Sequence, residues 1–230
     1  MRLWYYWILE LLFPSRCMLC RRLLSREETD LCSDCRKNAP VFPRLEKNCH
    51  PSGKTKLQFL DSFTAVWYYE GNVRNSILRY KFHRARQLAG GYGRLLAMKL
   101  QNEYPEGFDY LTWVPVSDRR KRQRGYDQSE LLAQSVGREL GMAPVRLLKK
   151  IRDNPPQSGT EAENRKANVL GVYRYSGTES IRGKRILLLD DVFTTGATAE
   201  ECARVLLTAG AQRVSCGTIA AARHRKTQKN

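Results

Sequence analysis

No stretch of this sequence is apolar for long enough to cross a bilayer as a helix. The opening "LWYYWILELLFP" runs for about a dozen residues and is interrupted by Glu10, whereas a spanning helix needs about 20. A cleavable leader is poorly supported too. Arg2 is the sole charge before the apolar run, and Pro-Ser-Arg-Cys offers no small-x-small cleavage site. The segment reads as an amphipathic helix packing on the rest of the chain, and the expectation is a soluble, cytoplasmic protein with no membrane span.

Acidic residues are scarce, 23 Asp and Glu against 40 Lys and Arg, for a formal net charge of +17. The excess is spread along the chain rather than held in a tail. Such a field attracts phosphate-rich ligands or nucleic acid, and it also fits a generally cationic soluble surface. Histidine is scarcer still, with three residues in the chain. His50, His83 and His224 offer no evident general base, and His83 alone lies beside a functional-looking run. A hydrophobic content of 42% with 10% aromatics excludes a wholly disordered chain. The length suits one domain with a real core plus an appendage, or two small domains.

Of seven cysteines, only Cys202 and Cys216 lie beyond Cys49. Cys17, Cys20, Cys32 and Cys35 read C-x2-C-x11-C-x2-C. Two residues between thiolates let one tight turn aim both sulfurs at one ion, and two such turns close a tetrahedral zinc site. A reducing compartment opposes the disulfide alternative. Four thiolates leave no open coordination position, so the zinc is expected to be structural and to supply folding energy to a short, charged segment. Cys49 is followed by "HPSG", with Ser52 where a third pair would need cysteine, so a second metal site is not expected. "GKT" at 53–55 lacks the first glycine and the preceding strand of a P-loop, and is discarded.

From about residue 58 strands and helices alternate. "SFTAVWYY", "DYLTWVPVS", "VRLLKKI", "KRILLLD" and "RVSCGTIAAA" read as strands. "VRNSILRYKF", "RQLAGGYGRLLAMKLQNEY", "QSELLAQSVGREL" and "TAEECARVLLTAG" read as helices, the second weakened by its glycines. The expected fold is α/β, a mainly parallel sheet with helices on both faces, plus a small N-terminal four-cysteine zinc module. The expected boundary puts the helix and zinc module at 1–57 and the larger domain at 58–230.

"RILLLDDVFTTGATAEEC" concentrates the chemistry. Ile186 to Leu189 form a buried strand, with Asp190 and Asp191 at its carboxyl end, where ligands bind in such sheets. Thr194, Thr195, Gly196, Ala197 and Thr198 then turn into a helix. Their N–H groups and the helix N-terminus make an anion nest suited to phosphate. Two acids beside a phosphate nest point to a sugar phosphate.

"ILLLDDVFTTGAT" resembles the phosphoribosyl-pyrophosphate (PRPP) motif of type I phosphoribosyltransferases. The four-cysteine module ahead of this domain, with "LRYKFHRARQLA", "VPVSDRRKRQRGYDQSELLA" and "PPQSGTEAENRKANVLGVY", is similar to the ComF family of competence and DNA-utilisation proteins. The resemblance implies that Asp190 and Asp191 hold ribose hydroxyls and that Thr194 to Thr198 hold the 5′-phosphate. Val116, Ser117 and Asp118 would form the pyrophosphate loop. A mobile lid around Gln157 would include Arg152, Arg165 and Asn168. Magnesium would bridge pyrophosphate and ribose oxygens largely through water.

"SDRRKRQRGYDQ" sets Arg119, Arg120, Lys121, Arg122 and Arg124 in six residues, more charge than one pyrophosphate uses. The surplus fits single-stranded DNA, with its backbone on these cations and a base stacked on Tyr126. Lys81, Arg84 and Arg86 in "RYKFHRAR" show the same interleaving, although a solvated basic loop explains either run. The residues thus admit a phosphoribosyltransferase acting on a nitrogen nucleophile, a DNA-handling protein of DNA uptake and transformation that keeps the pocket for a ligand, or a zinc-module adaptor for a helicase or other uptake protein.

Overall fold

The computed structural model describes residues 14–44, 49, 56–152 and 170–223. The opening apolar segment, His50, the lid positions Gln157, Arg165 and Asn168, and the basic tail from His224 lie outside them. Strands β1 (Ser62–Tyr68), β2 (Tyr110–Trp113), β5 (Arg185–Phe193) and β6 (Arg213–Ala221) form one parallel sheet in the order β1-β6-β5-β2. The crossovers carry helices α2 (Gly71–Phe82), α3 (Leu88–Glu103), α4 (Asp118–Arg124), α5 (Gln128–Leu140) and α6 (Ala197–Thr208), and α1 (Ser33–Asn38) precedes the sheet. Among the described residues, no helix is long and apolar enough to cross a membrane.

The central strand explains the layering. Successive side chains point to opposite faces. Leu187 and Leu189 enter a core with Ile77 of α2, Leu96 of α3 and Leu132 of α5. Ile186 and Leu188 enter another with Cys202, Ala203 and Leu206 of α6. A strand covered on both faces reads as a continuous apolar run. Cys202 and Cys216 are buried here as small apolar side chains. The glycine-rich start of α3 has a packing reason. A Cβ on Gly93 would come within 2.3 Å of Ser135 Oγ on α5.

Three elements differ from expectation. β5 does not stop at Leu189 but runs through both acids, because Asp190, Val192 and Phe193 still pair with Thr218, Ala220 and Ala221 of β6. The arginine run is helical rather than a loop. Ser117 caps α4 by accepting from Arg120 N at 3.3 Å, and Gly125, at φ +79°, ends it. Lys121, Arg122 and Arg124 therefore sit in its last turn, where the helix dipole favours cations. Third, "VRLLKKI" contributes only β3 (Leu148–Lys150), which pairs antiparallel with β4 (Tyr173–Tyr175) outside the main sheet. β4, three residues long, carries too short a pattern to be read locally.

The cysteine module shares its core with the larger domain. Cys17, Met18, Leu19, Leu31, Cys32 and Cys35 belong to the same buried cluster as Val73, Ile77 and Tyr80 of α2. Arg79 donates to the carbonyls of Met18 at 2.8 Å and Leu19 at 3.0 Å, and Ser76 Oγ donates to the Met18 carbonyl. Arg94 of α3 grips Asp30 with Nε at 2.9 Å and Nη2 at 2.5 Å. Residues 40–42 add a short antiparallel stretch to β1, with Tyr68 N donating to Pro40 O at 2.7 Å and Phe42 N to Val66 O at 3.0 Å. With so much contact, losing zinc should loosen more than the module. Chelation is expected to speed amide hydrogen exchange in α2 and the first half of α3 as well as in residues 17–38; acceleration confined to 17–38 would contradict a shared core.

Candidate functional site

The acids at the end of β5 are held by neighbours from two helices. Lys81, in the last turn of α2, places Nζ 2.7 Å from Asp191 Oδ1. Ser129, in the first turn of α5, donates its hydroxyl to Asp190 Oδ1 at 3.0 Å, and the Asp191 N–H donates to the same oxygen at 2.8 Å. Asp190 is half-buried and Asp191 buried. Burial first, and then the adjacent Asp191 carboxylate, push Asp190 up to about 7, against the opposing influence of Lys81 and Ser129.

Beyond Phe193 the chain turns through Thr194 and Thr195 into α6. Gly196 caps this helix at φ +76°, and a Cβ there would come within 2.4 Å of Phe193 Cζ, so both backbone and space demand glycine. The first intrahelical bond of α6 is Glu200 N to Gly196 O at 2.9 Å. The N–H groups of Ala197, Thr198 and Ala199 precede it and face the unsatisfied end of the helix, apart from a long contact of 3.5 Å from Ala197 N to Thr195 Oγ1. A phosphate suits such an end.

The loop after β2 is anchored to β5 and to the start of α5. Val114 N donates to Leu189 O at 2.9 Å. Val116 N donates to Asp127 Oδ2 at 3.1 Å, and Asp127 Oδ1 caps α5 by accepting from Glu130 N at 3.1 Å. Burial pushes the Asp127 carboxyl up. Ser117 is taken up in capping α4, and Asp118 is exposed in its first turn. Asp127 and Ser129 were absent from the candidates drawn from sequence. Asp127 and Glu130, three apart before an apolar run, carry the spacing of a helix capping box, which was the available signal.

The basic residues separate into free and engaged groups. The side chains of Arg119, Arg120 and Arg122 are exposed and make no hydrogen bond or ion pair among the described residues. Lys121 pairs with Glu130 at 3.0 Å. Arg124 donates to Gln128 Oε1 at 2.7 Å and lies 5.0 Å from the centre of the Phe82 ring, and burial lowers its pKa. Tyr126 does not offer a face to a base. It is 5% exposed, its hydroxyl donates to the Tyr80 carbonyl, and the Arg86 guanidinium covers its ring at 4.8 Å. Lys81 likewise leaves the nucleic-acid surface expected for it, because it faces Asp191. Arg86 donates to Gly125 O at 2.6 Å, which uses it at the end of α4, while Arg84 and Arg152 are exposed.

The sulfurs of Cys17, Cys20, Cys32 and Cys35 all lie within 4.8 Å of one another, Cys20 and Cys32 at 3.6 Å. A tetrahedral zinc with Zn–S of about 2.3 Å sets sulfurs about 3.8 Å apart, so the set fits. The Cys35 N–H donates to Cys32 Sγ at 3.4 Å, which orients that thiolate. Cys49, bridged to Lys56, stands apart from this cluster.

The raised Asp190 carboxyl has a stability consequence. The folded protein holds this proton more tightly than the unfolded chain, so its contribution is fully present below about pH 4 and is lost as pH rises through about 7. Asp190→Asn keeps an acceptor for Ser129 and never ionises. Urea unfolding should find the variant more stable than the parent by about 1–3 kcal/mol near pH 8, with the gap closing near pH 4. A gap independent of pH would contradict the burial of a titrating carboxyl.

Family models match this chain in two places, a phosphoribosyl transferase domain over residues 127–230 and a double zinc ribbon domain over residues 8–62. Competence protein F of Haemophilus influenzae is 26% identical over 228 residues, covering 91% of this chain and 98% of its own. DNA utilization protein YhgH of Salmonella typhi is 30% identical over 216 residues, covering 87% and 94%. Among solved structures, the glutamine PRPP amidotransferase of B. subtilis aligns at a TM-score of 0.42 with 19% identity, over 62% of this chain and 30% of that one. An adenine phosphoribosyltransferase aligns at 0.42 with 15% identity, over 61% and 73%. The four-cysteine module ahead of a type I phosphoribosyltransferase-like domain, and a likeness running nearly end to end, place the chain in the ComF family of competence and DNA utilization proteins.

Proposed function

We propose that this protein binds PRPP or a related phosphoribosyl ligand and single-stranded DNA, and that it acts in the cytoplasm in the uptake and use of DNA. The observation that carries the ligand is the carboxyl end of β5, where two acids are followed, after Phe193 and the turn at Thr194 and Thr195, by a glycine-capped helix N-terminus. Ribose hydroxyls bond the carboxylates of Asp190 and Asp191, and the 5′-phosphate sits on the N–H groups and hydroxyls of Thr194 to Thr198. Val116, Ser117 and Asp118, at the junction of the loop after β2 with α4 and pinned by Asp127, receive the pyrophosphate. Magnesium, a hard oxygen-seeking ion, neutralises that pyrophosphate largely through water. DNA utilisation comes from the names of the relatives, and a helicase or another uptake protein is the partner that use implies.

Arg119, Arg120 and Arg122 project from α4, the helix that follows the pyrophosphate loop, and they supply the phosphate contacts for DNA. The base-stacking part of that interaction falls to residues other than Tyr126. The intact acid pair and phosphate turn also favour a second reading, transfer of the phosphoribosyl group to a nitrogen nucleophile with release of pyrophosphate.

Titration calorimetry on zinc-loaded protein should show binding of PRPP with magnesium, lost in Asp190→Asn/Asp191→Asn. That double variant should keep its DNA affinity and lose transformation in cells. Heat-silent PRPP in the parent protein would remove PRPP itself as the ligand. Replacing Arg119, Arg120 and Arg122 with Gln should weaken single-stranded DNA binding and reduce the slope of log affinity against log salt by about 2, at about 0.7 for each phosphate contact. An unchanged slope would take α4 out of the DNA path.

A further inference from the structure

The acid pair has a fixed cation of its own. Lys81 lies 2.7 Å from Asp191 Oδ1, and the two side chains are only 20% and 10% exposed. Asp190 Oδ1 is occupied by the Ser129 hydroxyl and the Asp191 N–H. One oxygen of each carboxylate is thus engaged, and Oδ2 of each has no protein partner among the described residues. Two neighbouring ribose hydroxyls call for two such acceptors. A divalent ion bound directly to the pair would instead have to share Asp191 with an ammonium, and two positive charges at that separation repel strongly where water is scarce.

Lys81 is not placed there by a loose surface arm. α2 is tied to the zinc module by Ser76 and Arg79. The residue before Lys81, Tyr80, is buried, donates its hydroxyl to Gln128 O at 2.7 Å and accepts on its carbonyl from Tyr126. These bonds hold the last turn of α2 against the start of α5, where Ser129 meets Asp190. The ammonium and the hydroxyl therefore reach the two acids from a single braced unit.

We propose that Lys81 is the built-in counter-cation of the acid pair and stands where a directly coordinated divalent ion would otherwise bind. The pocket then takes a ribose phosphate on the two free carboxylate oxygens, and any magnesium stays on the phosphates of the ligand. The ribose half of this statement rests on the phosphoribosyl reading above, and the exclusion of metal rests on the Lys81–Asp191 geometry alone.

Manganese, a divalent probe read by electron paramagnetic resonance, tests the exclusion on full-length, zinc-loaded protein with no other ligand. The parent and Asp191→Asn should bind manganese equally weakly. Lys81→Met should gain a site about tenfold tighter or more, and Lys81→Met/Asp191→Asn should lose that gain. Weaker binding in Asp191→Asn than in the parent overturns the proposal, as does a folded Lys81→Met indistinguishable from the parent. Should Lys81→Met fail to fold, the comparison of the parent with Asp191→Asn decides alone. A parallel titration with ribose 5-phosphate, without added divalent ion, should show binding to the parent. Absence of binding by both ribose 5-phosphate and PRPP would overturn the phosphoribosyl reading, and the manganese comparison would still decide the role of Lys81.

Discussion

A strand covered by helices on both faces has nowhere to put a charge except at its ends, and β5 imposes that constraint on the whole molecule. Ile186 and Leu188 fill one core while Leu187 and Leu189 fill the other. A carboxylate at any of these positions would be stranded in an apolar interior. The acids therefore come after Leu189, at the carboxyl edge of the sheet. The loop after β2, the turn into α6 and the start of α5 converge on the same edge. Groups from separate parts of the chain are gathered there by the direction of the strands.

The edge is nevertheless not left to solvent. Asp190 keeps its proton toward neutrality because it is buried beside another carboxylate, and Asp191 is held by Lys81. A pair of charges withdrawn from water needs close partners to be tolerated. The partners come from α2 and α5, which Tyr80 and Gln128 link. α2 also carries Ser76 and Arg79, whose bonds to Met18 and Leu19 connect it to the cysteine module. The zinc module is thus structural in a specific sense. It braces the helix that reaches the acids, about one helical turn away.

The arginine run shows how local appearance and tertiary role diverge. Five cations in six residues look alike in the sequence, but wrapping them around α4 sorts them by direction. Lys121 and Arg124 turn inward to Glu130 and Gln128, and the remainder face water. Tyr126, beside the run, is drawn into the core by Tyr80 and covered by Arg86. A mixture of basic and aromatic residues therefore marks a surface only after the helix phase is known.

The sequence by itself determined the alternation of strands and helices, the four-cysteine cluster, and the acids and glycine turn after "ILLL". Each of these depends on near neighbours: the spacing of thiolates in a turn, apolar continuity in a covered strand, the φ that glycine permits. Only the tertiary structure decided that β5 continues through the acids, since that extension is set by pairing with β6. It also decided that Lys81 meets Asp191, that Ser129 meets Asp190, and that Asp127 pins the loop at Val116. Lys81 and Asp191 are 110 positions apart, and a contact across that distance leaves no periodicity in either segment, because it arises from how α2 and β5 pack.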